Sequence, residues 1–140
     1  MQITARVYNS ASSHEVVVST AGTERALAVP GKSSGSGSAV NGGEFLMLAL
    51  ATCYCNDLYR EAASLGVHLE RVKVEASAEF PGIGLAANNI TYYAEVSSPA
   101  SEHEIAKLLR QTDAVAEVHN TLRAGVRVKY EKLGISPFAA

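Results

Sequence analysis

The stretch from Asn41 to Gly66, NGGEFLMLALATCYCNDLYREAASLG, constrains the fold more than any other part of the chain. From Phe45 to Cys55 every residue except Thr52 is apolar. The stretch reads as one helix closed by Gly66, a residue suited to the left-handed position after a helix. A helix that is hydrophobic all round is buried. One small sheet covers only one side of it, so the other side needs a partner. A second copy of the chain is the simplest one. We therefore expect a long buried central helix in a homodimer. The second half, Asn56 to Glu61, is amphipathic, and the apolar half carries both cysteines, Cys53 and Cys55.

The flanking segments read as strands and shorter helices. Ile3, Ala5 and Val7 alternate with Gln2, Thr4 and Arg6, the pattern of a half-buried strand. His14 to Thr20 is Val-rich, Ala21-Gly22 signals a turn, and Glu24 to Val29 reads as a third strand. PGKSSGSGS at Pro30 to Ser38 is a mobile Gly/Ser loop. After the long helix, Val72, Val74, Ala76, Ala78 and Phe80 alternate with polar residues, and Ile90, Tyr92, Ala94 and Val96 repeat the pattern. Ser101-Glu102-His103-Glu104 is a capping box that opens a second helix. Asp113 to His119 predicts a short third helix, and Val126, Val128 and Tyr130 a last strand. The order is β-β-β-α-β-β-α-α-β, an α+β fold in one domain over residues 1–140.

Composition bounds the function. The 140 residues are 47% hydrophobic, so a core can form, and the net charge of −2 offers no basic patch for nucleic acid. The longest apolar run, about eleven residues, is short of the roughly 18 that span a bilayer, so no membrane partner is expected. The N-terminus MQITARVYNS has no apolar signal core, which points to the cytoplasm. There, two cysteines are free thiols rather than a structural disulfide.

The chemistry-bearing residues are few. Gly31-Lys32-Ser33-Ser34 hints at a phosphate loop, but the upstream Gly of that motif is Ala26 here. Asn41 and Glu44 suit a helix cap, with a catalytic role for Glu44 as the sharper reading. Cys53 and Cys55 are two residues apart, so on a helix their side chains diverge by roughly 200°. That spacing opposes both a shared metal and a mutual disulfide. No metal and no cofactor is expected. A buried Cys is commonly a small hydrophobe, and a protected redox thiol is the alternative. His119 has no Ser or Asp partner by spacing, nor do His14, His68 and His103.

The helix resembles that of the OsmC/Ohr family of thiol-dependent hydroperoxide reductases. The family's helix opens with an Asn-Pro-x-Glu-Leu type stretch and runs through small and aliphatic residues to a reactive Cys. Here the opening is Asn41-Gly42-Gly43-Glu44-Phe45, and the run LMLALATC ends at Cys53. GVHLERVKV after the helix is similar to the family's following strand. His119-Asn120-Thr121-Leu122 with Gly125-Val126-Arg127-Val128 looks like its second-Cys segment and final strand. The likeness covers nearly the whole chain. It implies the OsmC-like fold as an intertwined homodimer, and reduction of organic hydroperoxides or hydrogen peroxide by a thiol reductant. It also implies oxidation of Cys53 to a sulfenic acid.

The chain departs from the family pattern at three places. The resolving Cys falls on Ala116, and the acidic residue that pairs with the activating Arg falls on Gly43, with Glu44 one place later. The turn that holds the activating Arg is Asn9-Ser10-Ala11-Ser12-Ser13 here, and Arg6 and Arg25 are distant candidates. Cys55 is an addition. Two functions follow: a one-Cys peroxidase with Cys53, Cys55 and Glu44 as site residues, or a non-catalytic dimeric scaffold or binder of a small apolar ligand.

Overall fold

The computed structural model describes residues 1–131. Ala21 and Gly22 both take positive φ, 49° and 84°. Two such residues between two strands make the tight turn whose twist matches a hairpin. They join β2, His14–Thr20, to β3, Thr23–Leu27, with Thr20 opposite Thr23. β1, Ile3–Asn9, pairs antiparallel on the other side of β2, from Ile3 opposite Thr20 to Asn9 opposite His14. The expected half-burial of β1 does not hold in this chain, since all seven of its residues are exposed. Alternation shows that one face favours an apolar neighbour, but not which element supplies it.

The Gly/Ser loop is tied down. Lys32 N–H donates to Gly37 O, Gly31 bridges Ser38, and Gly37 N–H donates to Asn9 Oδ1 at 3.2 Å. Then comes α1, Gly42–Leu65. Its start is a reciprocal cap: Glu44 N–H donates to Asn41 Oδ1 (2.8 Å) and Asn41 N–H to Glu44 Oε1 (3.1 Å). Gly66 closes it at φ +68°, where a Cβ would be strained. Burial is confined to a stripe of Leu50, Tyr54, Asp57, Leu58 and Ala62, at helical spacing. The expectation of a helix buried all round fails for the chain by itself: Leu48 is 56% exposed.

β4, Arg71–Glu79, and β5, Asn88–Ser97, form a two-stranded sheet with the expected alternation along β4. α2, Glu102–Val115, opens with the predicted capping box at Ser101 and Glu104. α3 is Glu117–Ala124, later than the predicted Asp113 to His119. Asp113 continues the last turn of α2, and the break falls at Ala116, whose φ −71° and ψ 104° are extended. The predicted last strand at Val126, Val128 and Tyr130 is not formed. Residues 126–131 carry no regular structure, and Val128 is 96% exposed. A strand needs a neighbour for its N–H and C=O groups, and among the described residues none pairs with it. The remainder of the chain lies outside the described residues. The order is thus β-β-β-α-β-β-α-α, a mixed α+β fold. No helix among the described residues is long and apolar enough to cross a membrane.

The chain divides into two compact units. One holds Met1–Ala51 and Glu75–Tyr93; the other holds Thr52–Val74 and the chain from Ala94 onward. In the second, Tyr54, Leu58 and Ala62 are buried together with Leu108, Thr112 and Ala116. Among the bonds that fasten α1 to α2, Tyr54 Oη donates to Leu109 O at 2.8 Å, and Gln111 Nε2 to Glu61 Oε2 at 2.9 Å.

Two stability measurements test this account. Leu58 is fully buried, so Leu58→Ala should cost about 2–5 kcal/mol in denaturant unfolding. A loss below about 1 kcal/mol would contradict its place in the core. Ala21 holds a left-handed conformation that a side chain disfavours, so Ala21→Gly should raise the unfolding free energy read from the same denaturant curves by up to roughly 1 kcal/mol.

Candidate functional site

Cys53, Asp57 and Arg60 stand at i, i+4 and i+7 on α1, which places them on one helical face. Asp57 lies in the buried stripe and is only 4% exposed. Its Oδ1 accepts from Arg60 Nη1 at 2.9 Å, and its Oδ2 lies 3.6 Å from Cys53 Sγ, which donates to it. From α3, Glu117 adds a second carboxylate. Its Oε2 is 3.8 Å from the same sulfur, and its Oε1 is 3.9 Å from Arg60 Nη1. Each carboxylate therefore turns one oxygen to the thiol and the other to the guanidinium. Arg60 Nε also donates to Glu61 at 3.2 Å.

The first turn of α3 contributes a further group. Val118 N–H donates toward the Cys53 sulfur. An amide at a helix start favours an anion there, but here it is outweighed. Burial pushes the Cys53 thiol up from its ordinary value, and the negative Asp57 and Glu117 push the same way. Burial also raises the Asp57 carboxyl, with the Glu117 charge adding to it and Arg60 opposing. Glu117 is held below the usual carboxylate range by its own backbone N–H, and further by Asp57 and Arg60. Of the two carboxyls, Asp57 is the one that holds a proton more readily.

One sulfur and one oxygen from each carboxylate lie within 4.8 Å of one another, a spacing that could admit a cation. Arg60 already supplies positive charge to both carboxylates, so we assign no metal there.

The sequence-predicted residues separate. Cys53 belongs to the cluster. Cys55, half-buried and unbridged, has no place in it. Glu44 serves the helix cap. At Gly43 an added Cβ would meet the Phe80 ring at 3.1 Å, so the ring would have to give by a few tenths of an ångström. Arg6 forms an exposed ion pair with Glu24 at 3.6 Å. His119 is buried in the second unit with its ring 5.8 Å from that of Tyr54. Burial holds its pKa down, helped by Arg123, so it is a neutral core residue at pH 7. The sequence reading missed Asp57, Arg60 and Glu117. Spacing from Cys53 on a helix would have found the first two. Glu117 had only its position beside Ala116 to mark it.

The sequence profile of the OsmC-like proteins matches residues 35–131. No curated protein matches the sequence. Among solved structures, the chain is similar to an OsmC-like protein from Mycoplasma pneumoniae, with TM-score 0.61 and 20% identity over 87% of this chain and 86% of that one. It is also similar to an organic hydroperoxide resistance protein OsmC from Legionella pneumophila, with TM-score 0.59 and 16% identity over 92% and 94%. A third is an organic hydroperoxide resistance protein from Elizabethkingia anophelis, with TM-score 0.59 and 16% identity over 88% and 89%. At such identities these structures bear on the fold. With the profile spanning most of its length, the chain belongs to the OsmC-like family.

Proposed function

We propose that this protein is a thiol-dependent hydroperoxide reductase that works with a single cysteine, Cys53. The observation that carries the reading is the hydrogen bond from Cys53 Sγ to the buried Asp57 carboxylate, held from behind by Arg60. The raised Asp57 makes a better base than an ordinary carboxylate. It takes the thiol proton as the sulfur attacks the outer oxygen of the hydroperoxide. The O–O bond breaks, the alkoxide leaves, and Asp57 returns the proton to it. The products are Cys53–SOH and an alcohol. One molecule of an external thiol then displaces water from the sulfenic acid, and a second releases Cys53 as the thiol. The net reaction is ROOH + 2 R′SH → ROH + R′SSR′ + H2O. Support also comes from the family and from the two similar chains described as organic hydroperoxide resistance proteins. A reducing cytoplasm would supply the thiol.

A second reading is favoured by one observation. The Cys53 thiol is pushed above its ordinary value, and the thiolate is the stronger nucleophile. If Asp57 does not act as base, Cys53 is inert at neutral pH and the protein is a non-catalytic scaffold or a binder of a small apolar ligand.

Kinetics separate the two readings. Wild type should consume an alkyl hydroperoxide with a dithiol reductant, and Cys53→Ser should abolish this while Cys55→Ser retains most of it. Asp57→Asn removes the base and should lower turnover by roughly 10²-fold or more. Alkylation of Cys53 by iodoacetamide should be slow at pH 7 and rise only above the range of an ordinary thiol, about pH 8.5. The two carboxylates favour the neutral form, so Glu117→Gln should move that rise to lower pH. Wild type no faster than Cys53→Ser would leave the scaffold.

We also propose that the working species is a homodimer. Ile3 and Val7 of β1, Leu27 of β3 and Leu48 of α1 are all exposed in one chain, and a second copy would cover such residues. Sedimentation should give a dimer at micromolar concentration; a folded monomer there would reject it.

A further inference from the structure

We propose that Asp57 and Glu117 hold oxidised Cys53 as a protonated sulfenic acid, which protects it from further oxidation and leaves it to an external thiol. The inference rests on the reductase reading above and names how that site is protected.

Among the described residues no second thiol is placed to capture the sulfenic acid. The family's second cysteine falls on Ala116, which is fully buried. Cys55 projects away from Cys53 on the same helix. The oxidised sulfur must therefore persist until a small thiol arrives, and during that time a second hydroperoxide can attack it. That second oxidation runs through the ionised form: Cys53–SO⁻ + ROOH → Cys53–SO2⁻ + ROH. The sulfenate sulfur supplies the electron pair, the O–O bond breaks, and the product is a sulfinate that thiols do not reverse.

The surroundings oppose that ionisation. Two carboxylate oxygens, Asp57 Oδ2 and Glu117 Oε2, face the sulfur at 3.6 and 3.8 Å. Ionised carboxylates only accept hydrogen bonds. A sulfenic O–H placed between them donates to one or the other. A sulfenate oxygen in the same place would meet two like charges. The far oxygen of each is directed to Arg60, and Arg60 is steadied in turn by Glu61. His119 faces the cluster electrostatically through Asp57 but is held neutral by burial. The Val118 amide favours an anion, one neutral donor against two acceptors. Glu117 is thus a positioning residue for the oxidised state, next to the position where the family pattern has its second thiol.

The experiment follows Cys53 by mass spectrometry in the full-length protein treated with hydrogen peroxide without reductant. That probe oxidises an accessible thiol whether or not the protein turns over. Sulfenic acid is trapped with a cyclic 1,3-diketone and sulfinic acid is counted directly. Wild type should accumulate trappable sulfenic acid over a wide range of peroxide. Glu117→Gln, at a largely exposed side chain that threatens no core, should reach half-sulfinic Cys53 at roughly tenfold less peroxide, the factor for one pKa unit. Asp57→Asn should shift in the same direction. The same dose dependence in wild type and Glu117→Gln would overturn the proposal. So would a wild type that passes straight to sulfinic acid, or a Cys53 that stays a thiol. Protected sulfenic acid without turnover of hydroperoxide would support this proposal and overturn the reductase reading alone.

Discussion

The buried Asp57 carboxylate is the constraint on which the electrostatics around Cys53 depend. It stands in a stripe otherwise made of Leu50, Tyr54, Leu58 and Ala62, and water hardly reaches it. An isolated carboxylate there would carry a desolvation cost of several kcal/mol. Arg60 offsets that cost from one turn further along the helix. The half-exposed guanidinium stays partly hydrated while its Nη1 meets the buried oxygen, so the pair needs only one ion taken fully from water. Removing Arg60 would take away the charge that opposes the rise of the Asp57 carboxyl.

The same pair explains how the chain manages without the charges that the family pattern leads one to expect. A side chain at position 43 would press on the Phe80 ring, which would have to give by a few tenths of an ångström, and Arg6 is engaged with Glu24. Charge enters instead from α1 itself and from the start of α3. The consequence is a reversal of sign. A thiol beside an arginine is pushed toward thiolate, whereas this one, with two acids between it and the cation, is pushed toward the neutral thiol.

Much of the fold was legible because short-range rules decide it. The cap formed by Asn41 and Glu44, the box at Ser101 and Glu104, and the left-handed Gly66 are each set by residues within a turn of one another. What failed was long-range. Val126, Val128 and Tyr130 alternate as a strand does, yet alternation provides no neighbour. The apolar run of α1 reads as buried all round, but one chain buries only its stripe. The boundary of α3 was misplaced because Asp113 and Val115 suit either helix. At the site, Cys53 was visible through the family resemblance. Asp57 and Arg60 were available from helical spacing, had the face of the cysteine been followed downstream. Glu117 was not available, since its approach depends on how the chain turns between α2 and α3.

That turn is the last link from sequence to site. Ala116 ends α2 and begins α3 in one extended residue, without a side-chain cap. Asn120 compensates twice, its N–H donating to Ala116 O at 2.9 Å and its Nδ2 to Ala114 O at 3.1 Å. Arg123 reaches back to Asp113 at 2.6 Å. These bonds fix the direction of a helix only eight residues long, too short to hold itself in water. Its first two residues then deliver opposite influences to one sulfur, a carboxylate from Glu117 and an amide from Val118. A larger side chain at the fully buried position 116 would have to displace α3. The small residue at 116 and the acid at 117 are therefore parts of one arrangement.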